Sequence, residues 1–226
     1  MIEVVKPQID VGLLTADPGV VDFWRDVAQL RFDHLLPIAR GHDQYRFDER
    51  GSVIKVNVRD SLAGDQRSGI DELWIARDGL AAPRALADPD GNRVRFVPSG
   101  TDGVEQVGVR ILVPDRARSV AHYRDVLGFE ALSGSSVRCG ETVLLFEQRA
   151  DAPTGFEQAM RGWLYLTVQV RNCDDEVARV ARAGARVVAA PRNLGDVARM
   201  AMVADPDGNL LEISQRASLV GPLPDR

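Results

Sequence analysis

Side chains able to hold a metal, move a proton or clamp an anion are thinly spread in this chain. The two cysteines, Cys139 and Cys173, share no CxxC spacing and have no histidine nearby, so they read as reduced structural thiols. Of the three histidines, His122 falls inside a helical pattern, while His34 and His42 flank a turn. A duplicated turn is the sharper signal: Asp88-Pro89-Asp90-Gly91-Asn92 returns as Asp205-Pro206-Asp207-Gly208-Asn209. The turn itself is scaffold, because proline presets φ at its second position and Gly or Asn takes the left-handed conformation. Three residues beyond each copy stands a charged side chain, Arg95 in the first and Glu212 in the second. An arginine there can clamp a carboxylate or enolate, and a carboxylate can accept a proton.

The elements that must position these residues also repeat. Trp24-Arg25-Asp26-Val27 is echoed by Tyr123-Arg124-Asp125-Val126. Asp17, with Pro18 in the first turn, and Asp115 each read as the cap of a helix, the second stopped by Gly128. A third helix has no counterpart in the first half; Asp174 or Asp175 is its expected cap and Gly184 its end. Short β-branched or apolar runs predict strands at 9–15, 52–58, 73–76, 93–97, 107–113, 142–147, 163–170 and 210–214. The second half therefore reads β-α-β-β-β twice, over 105–148 and 163–215. The first half reads it once, over 8–58, followed by a curtailed copy without its helix over 70–98. The expected fold class is α+β, with one unit at 1–100 whose second module is shortened, a full unit at 103–217 and a loose tail at 218–226. Residues 149–162 form a long loop of the kind that serves as a lid, with Phe156 and Met160 as its apolar residues.

Composition narrows the function class. The chain has 226 residues, 45% hydrophobic and 27% charged, with a net charge of −5. An acidic protein without a basic run interleaved with aromatics is a poor nucleic-acid binder. No run of about 20 apolar residues is present to span a membrane, and the start lacks the basic and apolar regions of a signal peptide. The expectation is a cytoplasmic protein whose partner is a small organic molecule, acting as a monomer or homodimer.

Three segments together resemble the vicinal oxygen chelate superfamily, which includes glyoxalase I, extradiol dioxygenases and the fosfomycin and bleomycin resistance proteins. They are Val113-Pro114-Asp115 at a strand end, Tyr123 to Phe129 leaving a helix, and Asp205 to Asn209 with Glu212 beyond. The likeness runs through 105–216 and is weaker over 8–98. It implies tandem βαβββ modules curled into two incomplete barrels whose concave faces hold a divalent metal and an organic molecule. In that family, histidines from first strands and carboxylates from last strands ligate the metal. Here the first-strand positions fall on Gly108, Tyr165 and Asp10. The last-strand positions fall on Glu212, Glu147, Asn57 and Arg95, and the curtailed module offers Asp71 or Glu72. The usual His/His/Glu set is thus absent; Asp10 and Glu212 are the remaining candidate metal ligands, with Arg95 a cation to satisfy them.

The resemblance implies a glyoxalase-like enzyme of lyase, isomerase or ring-opening type acting on a carbonyl or phenolic compound. Glu212 would be its base, and Tyr165 and Arg95 would support developing charge. Glu147, Trp163, Trp74 and Phe156 are candidate ligand-binding residues. The alternatives are a metal-free protein that sequesters a small molecule of antibiotic type, and a metal-dependent dioxygenase or lyase with an unusual ligand set. No cofactor is named by the sequence.

Overall fold

The structure, a computed structural model, describes residues 2–155 and 161–224. Phe156 and Met160 of the expected lid lie outside the described residues. The first module is strand β1 (Asp10–Thr15), helix α1 (Gly19–Asp22) running into a π-helical turn at Phe23–Val27, then β2 (Arg31–Ala39), β3 (His42–Glu49) and β4 (Ser52–Arg59). The curtailed second module is β5 (Ile70–Arg77), β6 (Arg84–Ala87) and β7 (Arg93–Pro98). The third is β8 (Val107–Val113), α2 (Arg116–Ala121) with a π-helical turn at His122–Val126, β9 (Glu130–Ser133), β10 (Ser136–Cys139) and β11 (Thr142–Gln148). The fourth is β12 (Gly162–Gln169), α3 (Cys173–Arg182), β13 (Arg186–Leu194), β14 (Ala198–Ala204) and β15 (Leu210–Arg216), before a last helical turn α4 (Ala217–Val220).

In every module the first strand lies parallel beside the last, so the chain must cross over between them. The modules then join through their first strands. β1 pairs antiparallel with β12, giving an eight-stranded sheet ordered β13-β14-β15-β12-β1-β4-β3-β2. β5 pairs antiparallel with β8, giving a seven-stranded sheet ordered β6-β7-β5-β8-β11-β10-β9. The sheets therefore combine the first module with the fourth, and the second with the third. Neither closes into a barrel.

Strand alternation explains which face is which. Val11 and Leu13 of β1, Ile54 and Val56 of β4, Leu166 and Val168 of β12, and Leu211 and Ile213 of β15 are buried in one apolar core. The intervening residues face the other way, and they are mostly polar. Helix packing completes the core: Trp24 meets Trp163 at 5.5 Å between ring centroids, and Tyr123 meets Phe146 at 5.1 Å. Trp24 and Tyr123, the matching aromatics of the sequence repeat, both sit in π-helical turns, so the repeat extends to this local irregularity.

Asp115 caps α2 by accepting from Arg118 N at 3.0 Å, as its position predicts. The cap of α3 is Asn172, not Asp174 or Asp175. Its side-chain oxygen accepts from both of their backbone amides, at 3.0 and 3.2 Å. The two aspartates instead occupy the first turn, where their negative charge complements the positive end of the helix dipole. Cys139 and Cys173 are unpaired and buried, and burial pushes both thiols up to about 12. Among the described residues no helix is long and apolar enough to cross a membrane.

Candidate functional site

The eight-stranded sheet curls around a cavity of about 260 Å³. Leu36 and Ile38 of β2, Leu164 of β12, Leu194 of β13, and Met200 and Met202 of β14 give it apolar walls, and a polar floor runs across the four central strands.

At the floor, alternation within single strands brings together Asp10, Lys55, Tyr165, Thr167 and Glu212, of which Lys55, Tyr165 and Glu212 line the cavity and Asp10 and Thr167 lie buried behind it. Register places Thr167 opposite both Asp10 and Glu212, and Gly12 opposite both Tyr165 and Lys55. Lys55 Nζ donates to Thr167 Oγ1 at 2.7 Å and to Glu212 Oε1 at 3.1 Å, and lies 4.0 Å from Asp10 Oδ2. Thr167 Oγ1 also donates to Glu212 Oε1, at 3.1 Å. Glu212 Oε2 takes no hydrogen bond among the described residues, and the side chain lines the cavity. Asp10 accepts from Lys6, from Val53 N at 2.9 Å and from Gln169 Nε2 at 3.2 Å.

Burial alone would raise the Asp10 pKa; Lys55 and Lys6 outweigh it and hold the carboxyl below the ordinary value of 3.8. A carboxyl lowered on folding contributes stability above its unfolded pKa and loses it as pH falls through the folded one. Asp10→Asn is therefore expected to cost about 3 kcal/mol at pH 7. The gap to the parent should narrow below about pH 4. Urea denaturation of both proteins across that range checks this; a gap that widens on acidification would refute it.

Tyr165 depends on Gly12. A Cβ at residue 12 would lie 2.4 Å from the tyrosine ring, so the bare strand allows the ring to lie across β1. Burial, and then the nearby Glu212, raise the phenol pKa well above its usual value. Its oxygen accepts from Gln44 Nε2 and Asn57 Nδ2, both at 3.4 Å. Among the described residues the phenol donates no hydrogen bond, and Tyr165 lines the cavity. Lys55 Nζ also stands 5.3 Å from the centre of the ring. His42, not flagged by sequence position, lines the cavity too and contacts Asn57 Oδ1 at 3.1 Å. Burial lowers its pKa, which favours the neutral imidazole.

The other sequence candidates lie elsewhere. Trp163 packs in the core against Trp24. Arg95, Trp74 and Glu147 are on the seven-stranded sheet. There the buried Glu72 accepts from Trp74 Nε1 at 2.8 Å and from Arg95 Nε at 3.0 Å, with Arg110 at 3.3 Å. Glu147 is 3.5 Å from Arg110. The cation beside Glu212 is thus Lys55 of β4, and Arg95 is engaged with Glu72. Lysine at residue 55 escaped notice because a charged side chain on an alternating strand reads equally well as solvent-facing. Its opposition to Glu212 exists only once β4 and β15 are brought onto one sheet.

A metal of the kind the resemblance implies finds poor donors here. Among the described residues no three His, Cys, Asp or Glu side chains converge. Asp10 and Glu212 point to an ammonium instead of a vacant position.

Comparison with known proteins agrees with this architecture. Glyoxalase I from Zea mays superposes with a TM-score of 0.73 at 13% identity, covering 94% of this chain and 92% of that one. A protein of Bacillus subtilis subsp. subtilis str. 168, provisionally named a dioxygenase, gives 0.68 at 13% identity over 96% and 86%. TnmS3, an antibiotic binding protein from Streptomyces sp. CB03234, is 25% identical over 47% of this chain and 93% of its own, with a TM-score of 0.37. No curated protein matches the chain in sequence. Residues 105–213 match the family described as the Glyoxalase/Bleomycin resistance protein/Dioxygenase superfamily. Residues 105–213 thus resemble that family in sequence, and the two-sheet architecture is shared with the glyoxalase I and dioxygenase-named structures.

Proposed function

We propose that this protein works on a small organic molecule held in the cup of the eight-stranded sheet, by proton transfer at Glu212 and without a divalent metal. The observation carrying this reading is Lys55, whose ammonium lies between Asp10 and Glu212 and balances the carboxylates that would otherwise call for a metal. Glu212 Oε1 is held by Lys55 and Thr167, while Oε2 takes no hydrogen bond among the described residues and the side chain lines the cavity. The carboxylate is thereby oriented, with one oxygen free to take a proton from a carbon beside a carbonyl. As that C–H bond breaks, its electron pair moves onto the carbonyl oxygen. The Tyr165 proton and the Lys55 ammonium are the donors placed to stabilise the enolate. Return of the proton to a different carbon would make the reaction an isomerisation; loss of a leaving group would make it an elimination.

A second reading, sequestration without turnover, fits the same ion pair, because Glu212 is already satisfied by Lys55 without any substrate. Exchange of carbon-bound hydrogen for deuterium separates the two. A panel of small ketones, aldehydes and keto acids would be incubated with the protein in D2O and followed by NMR. The expected result is protein-dependent exchange in at least one compound, reduced about a hundredfold or more in Glu212→Gln, with binding retained. Compounds that bind but exchange no faster than in buffer would establish sequestration.

A further inference from the structure

The charge of the cup is opposite to that of the protein. The chain carries a net charge of −5, yet Arg46, Lys55, Arg59, Arg192 and Arg216 line the cavity with Glu212 as the one carboxylate. Lys55 and Glu212 neutralise each other. None of the four arginines forms an ion pair among the described residues.

Arg46 is the most telling. It is only 4% exposed, on β3 beside the floor of the cup. Its Nη1 donates to Gln44 Oε1 at 2.7 Å, but its buried Nε has no partner. A guanidinium removed from water without an anion is costly, and such groups are ordinarily paired. Arg216, at the far end of β15, is half-buried and lines the same cavity. Burial lowers its pKa, and the charge of Arg46 lowers it further, against smaller opposite effects of Asp10, Glu212 and Asp33. Two guanidiniums that repel each other across a cavity are both relieved by one anion between them.

We infer that the ligand of this cup is an organic anion with a carboxylate head received by Arg46 and Arg216 and an apolar body lying against the leucine and methionine walls. The inference rests on the cup of the eight-stranded sheet being the working site, and it names the ligand class for that site. A planar carboxylate suits guanidinium, which offers paired N–H donors in a fixed fork. Leu36, Ile38, Met200 and Met202 would cover the remainder. Arg59 and Arg192, exposed near the opening, add long-range attraction for an anion.

Paired probes test this: 2-naphthoate and its neutral isostere 2-naphthamide, titrated calorimetrically into the full chain. Naphthoate is expected to bind at least about tenfold more tightly than naphthamide. Arg46→Gln and Arg216→Gln should each erase that preference while leaving naphthamide binding unchanged. Thermal melts control for folding. Arg46→Gln should melt no lower than the parent, because it removes an uncompensated charge, and Arg216 lies where substitution spares the core. Ala198→Trp, which fills the cavity, should block both probes. Equal binding of the two probes, both blocked by Ala198→Trp, would overturn the anion assignment and leave the cup reading standing. Naphthoate that binds both arginine variants as tightly as the parent, or does not bind at all, would also overturn the assignment. Binding of either probe that survives Ala198→Trp would overturn the cup reading itself.

Discussion

Lys55→Met is expected to destabilise the protein by about 3–5 kcal/mol, the range for removing one partner of a buried ion pair. The side chains of Lys55, Asp10 and Glu212 are 5%, 1% and 8% exposed, so water cannot replace the lost ammonium. Methionine keeps most of the volume, which isolates the loss of charge from the making of a cavity. Asp10 would retain Lys6, whereas Glu212 would be left with the Thr167 hydroxyl alone. Most of the cost should therefore fall on Glu212. The double variant Lys55→Met with Glu212→Gln should recover much of the stability, giving a coupling energy above about 1 kcal/mol in a double-mutant cycle. Chemical denaturation of the four proteins measures this. A Lys55→Met protein within about 1 kcal/mol of the parent would contradict a buried, charge-balanced centre.

Asp205→Ala should cost about 3 kcal/mol, because several buried donors lose their acceptor together. Asp205 accepts from the backbone amides of Asp207 and Asn209 and from Asn209 Nδ2, each at 2.9 Å, and from Tyr123 Oη at 3.1 Å. Asp88 makes the corresponding three bonds within its own turn at 2.8–3.0 Å, without a tyrosine. Asp88→Ala should accordingly cost less, by about 1 kcal/mol, the worth of one further hydrogen bond. Equal losses from the two aspartates would show that the tyrosine bond contributes nothing. The bonds also show that each turn is a fastening between modules. Asp207 accepts from Ser119 at 3.2 Å and from Arg118, both on α2. Asn209 Oδ1 accepts from Gly69 N at 2.7 Å, just ahead of β5. In the first copy, Asp90 accepts from Thr15 at the end of β1 and from Arg161 ahead of β12, the latter at 2.6 Å. A turn motif whose local role is to reverse the chain thus ties the fourth module to the third and the second, and the second to the first and the fourth.

Much of the local structure was legible before any coordinates. The strand from Val107 to Val113, the cap at Asp115 and both Asp-Pro-Asp-Gly-Asn hairpins rest on interactions among neighbouring residues, which sequence patterns report directly. Gly91 and Gly208 take φ of +78° and +92°, as their places in those turns require. The α3 cap was missed by two to three residues because Asn172, Asp174 and Asp175 are all competent caps by type. Only the geometry of the entering chain selects among them.

By itself, then, the sequence determined many of the elements and their modular repeat, and the family resemblance singled out the two carboxylates Asp10 and Glu212 and the phenol of Tyr165. The elements follow from alternation, capping and turn chemistry, all short in range. Only the tertiary structure decided which modules share a sheet, and with that, which side chains meet. Arg95 and Glu212 occupy matching places after matching turns, yet they lie on different sheets because the first module pairs with the fourth. Lys55 and Glu212 are far apart along the chain and 3.1 Å apart in space. The arginines Arg46 and Arg216 come from strands at opposite sides of the β1–β12 seam and face one cavity only because the sheet curls. Charge placed on separate strands has no local signature, and its meaning is set by long-range pairing that no neighbouring residue encodes.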